Sequence, residues 1–175
     1  MTLSRIGSGA RVAGSISWVL SPSGGTVVHI SSGVSALVAA MMLGERLRVG
    51  PEGMVASHGA MPVLGASLLW FGFNAGSVLT YGALANSAFV NTNTAPAMGE
   101  LTWMTVSWAV HRQPSVLGAA GAAVAGLVAI TPAPGYVIVL AAILIGFGAG
   151  IICFFDVRLK ERLGVDDALD VFAVL

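Results

Sequence analysis

One histidine inside a long apolar stretch is the strongest chemical signal in this sequence. His29 lies in the stretch 24–43, roughly 20 Å from its far end at about 1.5 Å of rise per helical residue. The positions that continue its helical face are the small residues Gly33, Ala36 and Ala40, which predicts a close neighbour or a cavity beside the imidazole. An ionisable group at such depth indicates a substrate path or proton relay. A histidine bonded between helices for packing alone fits the same pattern.

A group of aromatic and hydroxyl side chains lies in the apolar stretch 62–84. Trp70, Phe73 and Ser77 share one helical face because they are three and four residues apart. Aromatic rings beside a hydroxyl can bind a cation through the ring faces. An aromatic anchor at a membrane interface would have the same composition, so composition alone leaves both interpretations open.

Other polar residues in the apolar stretches have simpler explanations. Asn91 and Asn93, early in the stretch 87–110, are predicted to form hydrogen bonds between helices rather than to contact a substrate. Glu100 follows Pro96 by about one helical turn in the same stretch. A carboxylate at that depth must be protonated, paired or in water.

Soluble-type catalysis has no candidate residues. Asp166, Asp167 and Asp170 follow Gly164 and are predicted to begin a helix, where acidic residues favour the positive end of the helix dipole, rather than to bind a metal. The single cysteine, Cys153, excludes a disulfide framework and a cysteine-rich metal site. No Ser/His/Asp set, HExxH, phosphate-binding loop or CxxC motif occurs. We therefore expect no enzyme, no metal and no cofactor.

The composition determines the broad class of protein. Of 175 residues, 56% are hydrophobic and 9% are charged, against about 25% charged residues in a typical soluble protein. Lys plus Arg and Asp plus Glu number 8 each, so the formal net charge is zero, which excludes a basic nucleic-acid-binding protein. This shortage of charge predicts a polytopic membrane protein.

Five apolar stretches meet or approach the roughly 20 residues that a helix needs to cross a bilayer. They are 24–43, 62–84, 87–110, 116–133 and 136–157, and a sixth stretch, 166–175, is predicted to begin another helix. Residues 1–20 are polar and Gly/Ser-rich, which predicts an irregular lead-in, and residues 21–175 are predicted to form one transmembrane domain. The predicted fold class is therefore all-α, a polytopic transmembrane helix bundle.

Positive charge alternates between the predicted loops. It follows the first, third and fifth spans, at Arg46 and Arg48, at Arg112, and at Arg158, Lys160 and Arg162. The positive-inside rule predicts that these loops are cytoplasmic. His58 and His111 lie in the same loops and are predicted to be solvated.

Small residues recur at a spacing of four, which predicts close approach of helix backbones. The sets are Gly72 with Gly76, Gly146 with Gly150, and the row Gly118, Ala122 and Gly126. The glycine run 146–150 follows no predicted strand, so helix packing is favoured over a nucleotide-binding loop.

Six ordered segments resemble the ammonium transporter (Amt/Rh) family, and together they cover nearly everything from about residue 18 to the end. They are Gly24-Gly-Thr-Val-Val-His-Ile30, Phe71-Gly-Phe-Asn-Ala-Gly-Ser77, Ala88-Phe-Val-Asn-Thr-Asn-Thr94, Pro114-Ser-Val-Leu-Gly118, Gly126-Leu-Val-Ala-Ile-Thr-Pro132 and Leu163-Gly-Val-Asp-Asp-Ala-Leu-Asp-Val-Phe172. The resemblance implies a fold of eleven helices in a trimer, with a narrow hydrophobic pore in each subunit. It assigns to this chain the last helix of the first five-helix repeat, four helices of the second and the beginning of the fifth.

The resemblance also implies an activity and partners. An ammonium ion is recruited outside the inner (plasma) membrane and gives up its proton, and ammonia then crosses past two histidines. The implied partners are ammonium or ammonia, the lipid bilayer, and other subunits in a homotrimer or a mixed trimer. By the same resemblance, His29 corresponds to the first pore histidine, Phe73 to an aromatic gate, Trp70 to a nearby tryptophan and Ser77 to the outer cation-recruiting hydroxyl.

Among the departures of this chain from the family pattern, two fall on positions that carry the chemistry. The family has an aspartate eight residues before the first pore histidine, where this sequence has Ser21. Its second pore histidine comes three residues after the position of Phe172, where this sequence has Leu175. The resemblance implies a truncated, partly degenerate member, and these two differences predict impaired conduction. A non-conducting partner in a mixed trimer and a gene remnant are the alternatives.

Overall fold

The structure is a computed structural model that describes residues 25–44, 60–113, 116–163 and 171–174. These residues form helices and no strand, which confirms the predicted all-α class for the described ranges. The helices are α1 (Gly25–Leu43), α2 (Ala60–Gly76), α3 (Ala83–His111), α4 (Val116–Ile130), α5 (Val139–Arg162) and α6 (Val171–Val174). The predictions for Ser21, His58, the aspartates of 166–170 and Leu175 lie outside the described residues.

The second helix ends earlier than the apolar stretch that contains it. The stretch 62–84 is apolar almost throughout, but α2 ends at Gly76 and a turn follows. Leu79 and Gly82 have positive backbone φ angles, of 53° and 119°. A left-handed residue stops the helical hydrogen-bond pattern. The chain therefore turns before α3 begins at Ala83.

Length and apolar character support two membrane spans within the described ranges. Gly25–Leu43 and Val139–Lys160 are long and apolar enough to cross a bilayer, whereas the apolar helix Gly118–Ile130 is shorter. The other crossings, and the orientation of the loops, stay predictions.

Helices α3, α4 and α5 pack with their backbones in close contact. A Cβ atom added to Gly126 would lie 2.5 Å from Cα of Pro96, and one added to Gly146 would overlap the carbonyl oxygen of Ala95. One added to Gly150 would lie 2.7 Å from a backbone oxygen of α3. The predicted packing role of the small residues is confirmed at these positions.

For the glycine pair on α2, close helix packing stays a prediction. Gly72 and Gly76 are exposed, and an added Cβ atom would meet no other described atom within 4 Å on either residue. The spacing of four places both glycines on one face of α2, but in the described structure no helix lies against that face.

Asn91 attaches α3 to the connection between α4 and α5. Its side-chain Nδ2 donates to the carbonyl oxygens of Pro134 and Val137, each at 2.7 Å. Both acceptors lie in a segment without regular helical hydrogen bonds, where carbonyl groups need other donors. The predicted structural role of Asn91 is confirmed, whereas the side chain of Asn93 is exposed.

Candidate functional site: a buried histidine and the tryptophan beside it

Helix α1 buries a single narrow face. Its buried residues are Gly25, His29 and Gly33, which are four residues apart and therefore share one side of the helix. A Cβ atom on Gly25 would lie 2.5 Å from Cγ2 of Thr131. The absence of a side chain at Gly25 thus lets α1 approach the residue that follows α4, while α1 packs mainly against α6.

The imidazole of His29 stacks on the indole of Trp70. The two ring centroids are 6.0 Å apart and the ring planes are 8° from parallel. His29 is 8% exposed, and its Nε2 has no hydrogen-bond partner among the described residues. A neutral imidazole carries one donor and one acceptor, so this ring nitrogen is available to a small polar molecule.

Trp70 is held in turn by a buried hydroxyl. Its indole Nε1 donates to Oγ1 of Thr131 at 2.9 Å. Thr131 is fully buried, and its hydroxyl donates to the carbonyl oxygen of Leu127 at 2.6 Å. Sequence reasoning did not single out Thr131. Its position at the end of an apolar helix and directly before Pro132 is the signal that could have drawn attention to it.

Phe73 and Ser77 lie farther along the same chain segment. Both are half-buried, and the Ser77 hydroxyl donates to the carbonyl oxygen of Phe73. The ring of Phe71, rather than that of Phe73, stacks on Phe89, with centroids 4.5 Å apart. The structure therefore brings His29 into ring contact with Trp70 and links Ser77 to Phe73 through one hydrogen bond.

A second polar contact fixes α2 to α3 one turn from Trp70. Asn74 is 1% exposed, and its Nδ2 donates to Oγ1 of Thr92 at 3.1 Å. Thr92 is fully buried and donates to the carbonyl oxygen of Ala88 at 2.6 Å. The Oδ1 atom of Asn74 has no partner among the described residues. This hydrogen bond fixes the position of α2 along the axis of α3.

The remaining titratable side chains do not form a metal site in the described ranges. No group of three His, Cys, Asp or Glu residues there is close enough to hold a metal ion. His111, the last residue of α3, is exposed with its ring edge-on to Phe154, which confirms the predicted solvated position. Glu100 is half-buried in the middle of α3.

Comparison with known proteins identifies the family of this chain. The sequence model of the Ammonium Transporter Family matches residues 15–174. The ammonium transporter of Bacillus subtilis is 49% identical over 157 residues, which are 86% of this chain and 38% of that protein. Ammonium transporter Amt1 of Archaeoglobus fulgidus is 43% identical over 156 residues, which are 86% of this chain and 39% of that protein. The chain thus spans less than two-fifths of the length of these relatives.

Solved structures have the same arrangement of helices. The crystal structure of Candida albicans Mep2 matches with a TM-score of 0.77 and 40% identity, covering 89% of this chain and 36% of that one. A sensor Amt protein matches with a TM-score of 0.78 and 30% identity, covering 89% of this chain and 41% of that one. These matches confirm that the helices form part of the ammonium transporter fold. With the family match across nearly its whole length, the chain belongs to the ammonium transporter family, whose members are membrane transporters.

Proposed function

We propose that this protein contributes to a path for ammonia across the plasma membrane, with His29 and Trp70 beside that path. One observation carries the proposal: a buried imidazole, stacked on an indole at 6.0 Å, whose Nε2 has no partner among the described residues. The helix that carries it is long and apolar enough to cross a bilayer. An intramembrane ionisable residue is by default a candidate functional group.

The chemistry of the site suits a neutral molecule. A bare cation transferred to hydrocarbon costs many kcal/mol, whereas neutral ammonia with hydrogen-bond partners costs far less. An imidazole nitrogen can accept a hydrogen bond from ammonia or donate one to it, depending on its protonation. The indole of Trp70 lies parallel to the imidazole on one side of it. This arrangement supports passage as ammonia, with the proton released before entry.

We assign Phe73 and Ser77 to the outer end of the path. Both follow Trp70 on α2 and on the turn after it, and both are half-buried. Ser77 keeps a hydroxyl oxygen that can accept a hydrogen bond while its own proton goes to the Phe73 carbonyl. These features support a gate at Phe73 and a cation contact at Ser77.

Conduction by this chain is expected to be weak. Ser21 replaces the acidic residue expected before His29, and Leu175 replaces the second pore histidine implied by the family resemblance. Serine carries no negative charge with which to stabilise a cation, and leucine cannot exchange a proton with His29. The two substitutions remove cation recruitment and the paired relay.

We also propose that the chain is a multi-pass protein that assembles with other subunits, as a homotrimer or as a mixed trimer with an intact relative. The large apolar side chains that α5 exposes support insertion into lipid or subunit contact, among them Leu140, Leu144 and Ile152, each 62% exposed. Co-expression of a tagged copy with the Bacillus subtilis transporter, followed by cross-linking, tests the mixed assembly. Absence of a mixed species would contradict it.

Uptake of labelled methylammonium into proteoliposomes tests the proposed path. We expect uptake well below that of the Bacillus subtilis transporter, a further loss of about tenfold in His29→Ala, and no change in His111→Ala, the exposed histidine control. Ser21→Asp should raise uptake because it restores the negative charge. Uptake as fast as that of the full-length relative would contradict weak conduction. Uptake that is unchanged in His29→Ala would contradict the path.

A further inference from the structure

Three helices meet at one threonine beside the proposed path. Helix α1 approaches Thr131 at Gly25, where an added Cβ would lie 2.5 Å from the Thr131 methyl carbon. Helix α2 reaches it through the Trp70 indole Nε1, which lies 2.9 Å from the Thr131 hydroxyl oxygen. Helix α4 ends at Ile130, directly before it. Thr131 therefore contacts the two helices that carry His29 and Trp70 and follows directly on the third.

We infer that Thr131 is a positioning residue that holds the face of the Trp70 ring against the His29 imidazole. Its consequence for transport rests on the proposed function. If His29 lies beside the path for ammonia, Thr131 affects that path by fixing the ring next to His29. Thr131 itself acts through Trp70.

The hydrogen bonds of the Thr131 hydroxyl have a definite direction. A hydroxyl has one proton to donate, and here that proton goes to the carbonyl oxygen of Leu127 at 2.6 Å. Its oxygen is then left to accept from the indole N–H, which can only donate. The N–H lies in the plane of the Trp70 ring, so its engagement with Thr131 turns the ring face, and not the N–H, toward His29.

Because the Trp70 indole N–H donates to Thr131, it does not occupy Nε2 of His29. A free indole N–H next to an unpartnered imidazole nitrogen would compete with a passing molecule for that nitrogen. Because Thr131 occupies the indole N–H, the parallel stack at 8° is retained and the imidazole nitrogen stays without a protein partner among the described residues.

The methyl and hydroxyl groups of Thr131 have different contacts, which makes the inference testable. The methyl group faces Gly25, and the hydroxyl faces Trp70. Thr131→Val keeps the shape and removes the hydroxyl, whereas Thr131→Ser keeps the hydroxyl and removes the methyl. A role in positioning Trp70 predicts a defect in the valine variant and rescue in the serine variant.

The experiment is NMR of the full chain in lipid nanodiscs with ¹⁵N-labelled tryptophan and the Trp70 signal assigned from Trp70→Phe. We expect hydrogen exchange of the Trp70 indole N–H to be about fivefold or more faster in Thr131→Val, as loss of a hydrogen bond worth about 1 kcal/mol implies. The ring-proton shifts of His29 should change in the same variant, because the stacked indole moves. Thr131→Ser should keep both values near those of the parent chain.

Two results would overturn the inference. One is a Thr131→Val chain with unchanged exchange and unchanged His29 shifts, and the other is equal perturbation by the serine and valine variants. If Thr131→Val does not fold, the parent chain decides: its Trp70 indole must exchange more slowly than that of Trp108, which is 64% exposed, and equal rates would overturn the inference.

These readouts do not depend on transport. Missing methylammonium uptake together with the expected exchange pattern would contradict the proposed function and leave the positioning role standing. Uptake that depends on His29, with no effect of Thr131→Val on hydrogen exchange, would contradict the positioning role and leave the proposed function standing.

Discussion

The bundle of α3, α4 and α5 and the two helices of the candidate site, α1 and α2, make their contacts by different means. In the bundle, backbones touch directly, at Gly126, Gly146 and Gly150. Large apolar side chains are exposed in both parts of the molecule, with Leu144 on α5 62% exposed and Leu68 on α2 65% exposed. Close backbone packing gives dense van der Waals contact, which is the main source of helix association in lipid. The bundle is thus the part built for stability.

Helices α1 and α2 are attached by one close approach, at Gly25, together with ring stacking and polar contacts. His29 stacks on Trp70, and Trp70 and Asn74 each donate one hydrogen bond to a neighbouring segment. Among the described residues, three buried side-chain polar atoms have no partner: Nε2 of His29 on α1, Oδ1 of Asn74 on α2, and Oδ1 of Asn91 in the bundle. An unsatisfied buried polar group costs about 1–3 kcal/mol. His29 and Asn74 thus keep polar atoms that the described helices do not satisfy.

Gly146→Ala should have the largest effect on stability and tests the bundle. The new methyl group would overlap the carbonyl oxygen of Ala95, and a backbone group cannot rotate away as a side chain can. We expect a loss of about 3 kcal/mol, at the upper end of overpacking effects. Thermal unfolding in detergent measures it. Gly148→Ala is the matched control, because no described atom lies within 4 Å of its added Cβ, and equal melting of the two variants would contradict the proposed packing.

Asn91→Ala should have an intermediate effect. It removes both hydrogen bonds to the Pro134 and Val137 carbonyls, which lie in the connection between α4 and α5. We expect a loss of about 2 kcal/mol in the free energy of unfolding, because buried acceptors are left unpaired. The exposed Asn93→Ala on the same helix is the control, and denaturant unfolding is the measurement. A loss as large in the control would show that helix propensity, and not the carbonyl contacts, accounts for the change.

Apolar runs predicted where helices lie but not where each one ends. The stretch 24–43 agrees closely with α1 because its apolar run and its helix stop together, at Leu43. The stretch 62–84 overshoots α2, because Val78 and Leu79 remain apolar after the helix has ended. Hydropathy reports the free energy of transferring a side chain into lipid. It cannot detect a left-handed backbone conformation such as that of Leu79, whose φ is 53°.

The candidate site could be predicted as far as residue type and local spacing allowed, and its role in transport stays a proposal. His29 was evident from a titratable ring in an apolar stretch, and Trp70, Phe73 and Ser77 came from a helical face and the family resemblance. Thr131 was not, because its partner Trp70 is 61 residues away and no local pattern connects them. Spacing within one helix identifies a face, whereas only the tertiary arrangement shows what lies opposite it.

Gly72→Ala should have the smallest effect on stability, and it tests whether α2 is packed as closely as the helices of the bundle. Gly72 has the same spacing to Gly76 as Gly146 has to Gly150, yet its added Cβ would meet no other described atom within 4 Å. Alanine is favoured over glycine inside a helix by about 0.5–1 kcal/mol, so we expect a slight rise in the melting temperature. A loss comparable to that of Gly146→Ala would mean that a close neighbour covers this face in the membrane. The exposed face of α2 would then be a packing surface like those of the bundle.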